Sequence, residues 1–208
     1  MDDILRRLHT DYLDVLLLHR PDVLFEPEEV ASAFDRLESS GKVRYFGVSN
    51  LMPMQIDLLK RFVTQPLVIN QLQLSLEQSQ LIDQVLYMNN RTTDMSLVRD
   101  GSALDYCRLH DITIQAWSPL QFGYFGGSFI DHPEFPALNR ALAELAERES
   151  VSKAAIAIAW ILRHPAHMQV LTGTMNPGHL HDICDATRVT LSHHDWYQLY
   201  LASGNYLP

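Results

Sequence analysis

The stretch DYLDVLLLHRPD, residues 11–22, ends an unbroken apolar run with a histidine, an arginine and a proline. The apolar part, residues 15–18, is typical of a strand that is buried on both faces, as in a parallel sheet. Residues that face a ligand in such sheets lie at the carboxyl ends of the strands. We therefore predict that His19 lies where the chemistry takes place.

Patterns of strand and helix alternate after this stretch. Residues 26–42 have Pro27 near a helix start, apolar residues at helical spacing and Gly41 as a stop signal. Residues 43–50 are a second predicted strand, and Pro53 opens a helix that runs to about Phe62. The third predicted strand, residues 67–75, is followed by about 25 residues rich in Gln, Asn, Thr and Asp, which we interpret as an irregular connection that covers or serves the site.

The alternation continues through the second half of the chain. A helix at about residues 103–110 leads to a fourth predicted strand, residues 112–120, and a glycine-rich loop. Two helical segments, residues 137–149 and 153–163, precede a fifth strand at residues 169–174. The Asn-Pro pair at residues 176–177 starts another helix, and the last helix begins at about Ser192.

Strands that alternate with helices run parallel with right-handed crossovers, which leaves a closed barrel or an open, doubly wound sheet. Groups of potential chemical use end several strands, among them His19, Ser49 and Trp117. A (β/α)8 barrel collects such groups at one face, whereas an open sheet carries an early glycine-rich fingerprint. Neither GxGxxG nor GxxxxGK[ST] occurs. We therefore predict an α/β fold of the (β/α)8 TIM-barrel type.

Composition narrows the class of ligand. The formal net charge is -9, with 16 basic and 25 acidic residues and no basic run, which argues against nucleic acid or an anionic membrane as partner. A small molecule fits better. Cys107 and Cys184 have no metal-ligand spacing, so we expect reduced thiols, a cytoplasmic location and no metal site. No apolar stretch approaches the roughly 20 residues of a membrane span, and residues 1–10 have no signal-peptide pattern.

Five motifs, in order on successive strand ends, resemble those of the aldo-keto reductases, especially a bacterial branch of predicted oxidoreductases. They are DYLDVLLLHRPD, GKVRYFGVSN, NQLQLS, QAWSPL and VLTGTMNPGHL. The resemblance runs from about Asp2 to the end of the chain. It implies an NAD(P)H-dependent oxidoreductase that reduces aldehydes or ketones to alcohols by hydride transfer.

The resemblance implies roles for four residues in the first half. His19 resembles the active-site histidine, which hydrogen-bonds the carbonyl oxygen of the substrate while hydride arrives from the nicotinamide. Ser49, Asn50 and Gln71 resemble the groups that hold the nicotinamide carboxamide. These residues are therefore expected to fix which ring face points to the substrate.

The cofactor residues implied in the second half follow the fourth and fifth strands: Trp117, Ser118, Pro119, Leu120, Gly173, Thr174, Asn176 and His179. Trp117 resembles the ring that stacks on the nicotinamide, and the next three residues begin the loop along the pyrophosphate. The last four resemble the site of the adenosine 2'-phosphate, with His179 in place of the family's usual arginine. Because no lysine or arginine lies between Arg163 and Arg188, we expect NADP but leave NAD open.

Three members of the family's catalytic tetrad have no counterpart here. The chemistry needs a tyrosine as proton donor, a lysine that lowers its pKa and an aspartate that orients the lysine. The family carries them after the second and third strands, whereas this chain resembles it from just before the fourth. The three lysines precede a strand or lie on helices, and Tyr124 is the only tyrosine on the loop after the fourth predicted strand. We expect Tyr124 not to substitute, because no lysine would tune it.

The chain thus resembles the last five βα units of a barrel, as one partial domain over residues 1–208. Such a wall exposes two sheet edges, so we expect either that it pairs with another copy or with a separate N-terminal fragment, or that it is a truncated part of a longer barrel. Two functions stay open. One is a carbonyl oxidoreductase that is weak or inactive as this chain alone, and the other is a non-catalytic nicotinamide-nucleotide-binding half-barrel or subunit that acts with a partner.

Overall fold

The computed structural model describes residues 1–22, 24–86, 102–123 and 126–207. The strands in these ranges are β1 (Leu13–Leu18), β2 (Val43–Ser49), β3 (Leu67–Gln73), β4 (Thr113–Trp117) and β5 (Gln169–Val170). The helices are α1 (Asp2–Leu8), α2 (Pro27–Ser39), α3 (Pro53–Lys60), α4 (Gln80–Leu86), α5 (Ser102–Leu109), α6 (Pro136–Glu149), α7 (Lys153–Leu162), α8 (Pro177–Cys184) and α9 (His193–Ala202). Contacts group the chain into unit 1, Met1–Leu72 with Asp105–Ile114, and unit 2, Gln73–Leu104 with Gln115–Pro208.

Unit 1 contains the parallel strands β1, β2 and β3. Leu13 is opposite Val43 in the first pair, and Ser49 is opposite Gln71 in the second. Gly47 in β2 is required by close packing, because a Cβ there would lie 2.6 Å from both the Ile69 carbonyl oxygen and Leu17 Cδ2. The strand order and the parallel direction therefore agree with the predicted α/β pattern.

Strand β1 is less buried than predicted. We expected residues 15–18 to be buried on both faces, but all four are only half-buried. Among the described strands, β1 pairs on one side only, with β2. The prediction of full burial was therefore wrong, because the branched apolar run reports the strand but not how many neighbours cover it.

Unit 2 contains β4 and β5, which pair in parallel with Gln115 opposite Gln169. Helices α7 and α9 pack through two stacked indoles, Trp160 and Trp196, whose ring centroids are 4.7 Å apart. Each indole N–H donates to the backbone oxygen of the other tryptophan, at 3.1 and 3.0 Å. Both indoles are thereby buried without an unsatisfied donor.

Two helices were not predicted. Helix α1 has Asp2 and Asp3 in its first turn and Arg6 and Arg7 in its last, an arrangement that complements the helix dipole. Helix α4 lies in the segment interpreted as an irregular connection, so that interpretation was wrong for Gln80–Leu86. Residues 87–101, the rest of that connection, lie outside the described residues.

Helix α4 is held by a buried hydrogen-bond network. The Tyr200 hydroxyl donates to Asp83 at 2.6 Å, and the Ser79 hydroxyl donates to the same carboxylate at 3.2 Å. Asn205 in turn donates to the Ser79 hydroxyl. Burial raises the pKa of Asp83, while the two hydroxyl donors oppose that change. The contacts from Tyr200 and Asn205 come from residues more than 100 positions away, which explains why local patterns missed this helix.

The two cysteines differ in their exposure to solvent. Cys107 on α5 is buried and Cys184 on α8 is exposed, and both are free thiols. Burial raises the pKa of the Cys107 thiol to about 11. In the part of the chain that the structure describes, no helix is both long and apolar enough to cross a membrane, and no three His, Cys, Asp or Glu residues form a metal-binding group.

Candidate cofactor site

His19 directly follows β1 in unit 1, at the carboxyl end where the sequence predicted it, and it is exposed. It lines a small pocket of about 150 Å³ together with Arg20, Phe25, Leu51 and Gln55. The pocket combines an imidazole with apolar walls, which suits a small organic group rather than a bulky one.

Three predicted carboxamide-binding residues meet at the ends of β2 and β3, also in unit 1. The Ser49 hydroxyl donates to the Gln71 carbonyl oxygen at 3.0 Å and accepts from Asn50 Nδ2 at 2.8 Å. The Asn50 backbone N–H donates to the same carbonyl at 3.0 Å. Asn50 has a φ of 59°, in the left-handed region that asparagine tolerates better than most residues. The strand ends therefore form an ordered cluster of hydroxyl and amide groups, in which Ser49 itself is buried.

Asn70 supports this cluster and was not singled out from sequence. It is fully buried, next to Gln71 in β3, and its Nδ2 donates to the Leu51 carbonyl oxygen at 3.0 Å. This bond ties the turn after β2 to β3. A polar residue inside an apolar strand was the signal, because a buried amide needs a partner.

Unit 2 contains a groove of about 1060 Å³ after β4 and β5. We call it the β4–β5 groove. Seven of the residues predicted to bind the cofactor line it: Trp117, Ser118, Pro119, Leu120, Gly173, Thr174 and His179. Its walls include residues from α6, α7 and α8. The groove is large enough for an extended small-molecule ligand, since common ligand pockets measure about 300–1,000 Å³.

The remaining predicted residue of unit 2, Asn176, begins helix α8. Its side chain accepts a hydrogen bond from the Gly178 backbone N–H at 2.9 Å, and its own backbone N–H donates to Thr174 Oγ1 at 3.1 Å. These bonds fix the turn that brings Thr174 and His179 to the β4–β5 groove. Asn176 is not among the residues that line the groove.

Sequence reasoning missed three charged residues of the groove: Lys153, Asp131 and Asp182. Lys153 and Asp131 both line it, and they form an ion pair with each other. Lys153 is the first residue of α7, directly after Ser152, whose hydroxyl accepts from the Ala155 backbone N–H at 3.0 Å. The sequence signal was a serine N-cap before an apolar helix, which predicts the helix but not what its first turn faces.

Comparisons with known proteins identify the family of the chain. A model of the aldo/keto reductase family matches residues 1–200. The chain belongs to the aldo/keto reductase family.

Two relatives show how much of an aldo/keto reductase the chain represents. The 6-dehydroglucose reductase of Agrobacterium fabrum (strain C58) is 36% identical over 201 residues, which are 96% of this chain and 60% of that protein. The uncharacterized oxidoreductase YcsN of Bacillus subtilis (strain 168) is 32% identical over 208 residues, 99% of this chain and 63% of that protein. The chain thus spans about three fifths of the length of these relatives.

Solved aldo/keto reductase structures confirm the fold class. The thermostable aldo-keto reductase Tm1743, solved with the inhibitor epalrestat, has a TM-score of 0.74 and 25% identity, with 97% of this chain and 64% of that chain covered. An aldo-keto reductase from Klebsiella pneumoniae in complex with NADPH has a TM-score of 0.70 and 27% identity, with coverage of 95% and 61%. The predicted α/β fold of the (β/α)8 barrel type, present as part of a barrel, is confirmed.

The three lysines precede a strand or lie on helices, as the sequence indicated. Lys42 precedes β2 beside Leu13 and pairs with Asp2 at 2.7 Å. Lys42 is at the amino end of β2. His19 follows the carboxyl end of the parallel strand β1, roughly 20 Å away along the strand direction. Lys60 is the last residue of α3, and Lys153 pairs with Asp131. Tyr124, the tyrosine considered as a substitute proton donor, lies outside the described residues.

Proposed function

We propose that the chain is part of an NADPH-dependent aldo/keto reductase that reduces a small aldehyde or ketone to an alcohol. The observation that carries this proposal is the β4–β5 groove, because seven residues chosen from sequence alone line one cavity. The names of the relatives support an oxidoreductase, and one similar structure holds NADPH. NADP is the proposed cofactor, and NAD is the alternative that the affinity ratio below tests.

The residues of unit 2 fit a nicotinamide nucleotide. Trp117 offers an aromatic face at the end of β4, and the backbone from Ser118 onward turns along the groove through a left-handed φ of 53°. Thr174 and the first turn of α8 offer a hydroxyl and a helix N-terminus, both suited to a phosphate. A bound nicotinamide nucleotide supplies the hydride that the reduction requires.

The residues of unit 1 suit the polar part of the chemistry. We assign Ser49, Asn50 and Gln71 to the carboxamide of the nicotinamide, because a primary amide needs donors and acceptors of this type. His19 donates an imidazole N–H to the carbonyl oxygen of the substrate, which polarises that carbonyl for reduction. The small pocket beside His19 would receive the rest of a compact substrate.

A second function is favoured by the position of the lysines. Proton transfer in this family depends on a lysine that lowers the pKa of a tyrosine, and among the described residues Lys42 and Lys153 are each engaged by a carboxylate. We therefore propose that the 208-residue chain alone binds the nucleotide but reduces carbonyl compounds weakly or not at all. It would then act as a nucleotide-binding half-barrel or subunit, paired with another copy or with separate N-terminal units, in the cytoplasm and without nucleic acid or membrane.

The first experiment is a titration of the purified chain with NADPH and with NADH, followed by tryptophan fluorescence. Trp117 is the expected reporter because it lines the groove, whereas Trp160 and Trp196 are buried against each other. We expect saturable quenching that Trp117→Phe removes while calorimetry with the same variant still detects binding. Gln71→Ala should weaken binding about tenfold, whereas the exposed Gln80→Ala should not. A folded chain that binds neither nucleotide would contradict both proposed functions.

A further inference from the structure

The charge of the β4–β5 groove is unevenly distributed. Among the described residues that line it, Lys153 is the only lysine or arginine, while Asp131 and Asp182 supply two carboxylates. The phosphate segment predicted from sequence, residues 173–179, contains no lysine or arginine of its own. Any permanent positive charge that pairs with a phosphate bound there must therefore come from another part of the chain.

Lys153 is positioned to supply that charge. It begins α7, which packs against α8, and His179 in the first turn of α8 lines the same groove. The Lys153 side chain is only 27% exposed, so most of its stem is packed and its ammonium is held near the groove. Its partner Asp131 lies on the loop after β4, and the Asp131 side chain is 69% exposed.

We propose that Lys153 binds the 2'-phosphate of NADPH and thereby determines the preference for NADPH over NADH. This inference rests on the proposed function. When NADPH binds, the Lys153 ammonium leaves the Asp131 carboxylate and pairs with the 2'-phosphate. The carboxylate carries one negative charge, whereas the phosphate carries between one and two at neutral pH. Asp131 keeps the ammonium paired in the absence of nucleotide. The pyrophosphate has a different expected position, along the backbone that starts at Ser118, so it does not compete for this role.

The test compares the affinities of NADPH and NADH for the wild-type chain and four variants by calorimetry. Lys153→Gln should raise the Kd for NADPH at least tenfold, the range expected for loss of a charge-assisted hydrogen bond, and leave the Kd for NADH within twofold. Lys153→Arg should retain the preference for NADPH, which also shows that the site tolerates substitution. Lys60→Gln, on α3 in unit 1, is the matched control and should change neither affinity.

Asp131→Asn separates a ligand role from a structural one. If Lys153 binds the phosphate, removing its competing carboxylate should strengthen NADPH binding a few-fold and leave NADH unchanged. Equal weakening of both nucleotides in Lys153→Gln would assign the lysine to the pyrophosphate or to the loop, and would overturn the inference. So would weaker binding of both nucleotides in Asp131→Asn. A wild-type chain that binds both nucleotides with equal affinity contradicts the inference alone, whereas one that binds neither contradicts the proposed function as well.

Discussion

Glu77 follows β3 as a partly buried carboxylic acid, and its Oε1 is buried with no hydrogen-bond partner among the described residues. Burial raises the pKa of this carboxyl from 4.5 to about 7, because the charged form loses its hydration. The protonated form is therefore favoured by the folded chain. Its contribution to stability is fully present below about pH 4.5 and is lost as the pH rises through about 7.

Substituting Glu77→Gln should remove this pH dependence, because an amide resembles the protonated acid in shape and stays neutral. We expect the free energy of unfolding to rise by about 1–2 kcal/mol at pH 8, after allowance for solvent screening, and by less at pH 5. Urea unfolding at the two pH values measures the difference. Glu144→Gln on the exposed side of α6 is the control, and an equal gain in both variants would show that burial of Glu77 is not the cause.

Individual site residues were predictable where a strand ends. His19, Ser49 and Trp117 each stand at the carboxyl end of a buried or half-buried strand, as the patterns indicated. Lys153 and Asp131 were not predictable in the same way, since one begins a helix and the other lies in a loop, and only the packing of α7 and α8 brings the lysine to the groove. Their role depends on tertiary contacts that local sequence does not specify.

An ion pair between Arg148 and Asp195 links the packed helices α6 and α9. Arg148 donates to both carboxylate oxygens of Asp195, at 2.9 and 3.0 Å, and Asp195 also accepts from the Ser192 backbone N–H and hydroxyl. The guanidinium and the serine donors together hold the pKa of Asp195 well below its usual range, against the opposing effect of burial. A lowered pKa adds stability that is present above about pH 4 and is lost as the pH falls below that value.

Asp195→Asn should lower the free energy of unfolding by about 1–3 kcal/mol at pH 7, because the bidentate ion pair is lost and part of the helix cap with it. The loss should shrink as the pH approaches 3, where the native carboxylate begins to lose its advantage. Urea unfolding at pH 7 and pH 3 provides the comparison. Asp3→Asn serves as control, since its pair with Arg6 is on the surface and should be worth less than about 0.5 kcal/mol. Equal losses in the two variants would contradict the assignment.

The elements themselves followed the sequence closely where periodicity was strong. Helices α2, α6 and α7 begin within a residue or two of their predicted starts, because proline at the first turn or a serine cap marks them. Strand β5 is shorter than predicted, two residues rather than six, and the four residues that follow it, 171–174, line the groove. Periodicity identifies an element but does not decide where pairing stops.

Urea unfolding tests directly the prediction that residues 1–208 form a single domain. All three tryptophans, Trp117, Trp160 and Trp196, lie in unit 2, whereas both units contain helices that circular dichroism detects. If residues 1–208 unfold as one cooperative domain, the two signals should have the same midpoint in urea. A fluorescence midpoint that differs from the dichroism midpoint by about 0.5 M or more would mean that the units unfold independently.

The two cysteines give the molecule a practical property. Cys184 is exposed at the end of α8, the helix whose first turn borders the β4–β5 groove, while Cys107 is buried and its pKa is raised to about 11. Thiolate, not thiol, reacts with maleimides, and reaction also requires access. A maleimide dye should therefore attach at Cys184 alone while the chain is folded. The wild-type protein can thus carry a single fluorophore on the helix that borders the groove, without any engineered substitution.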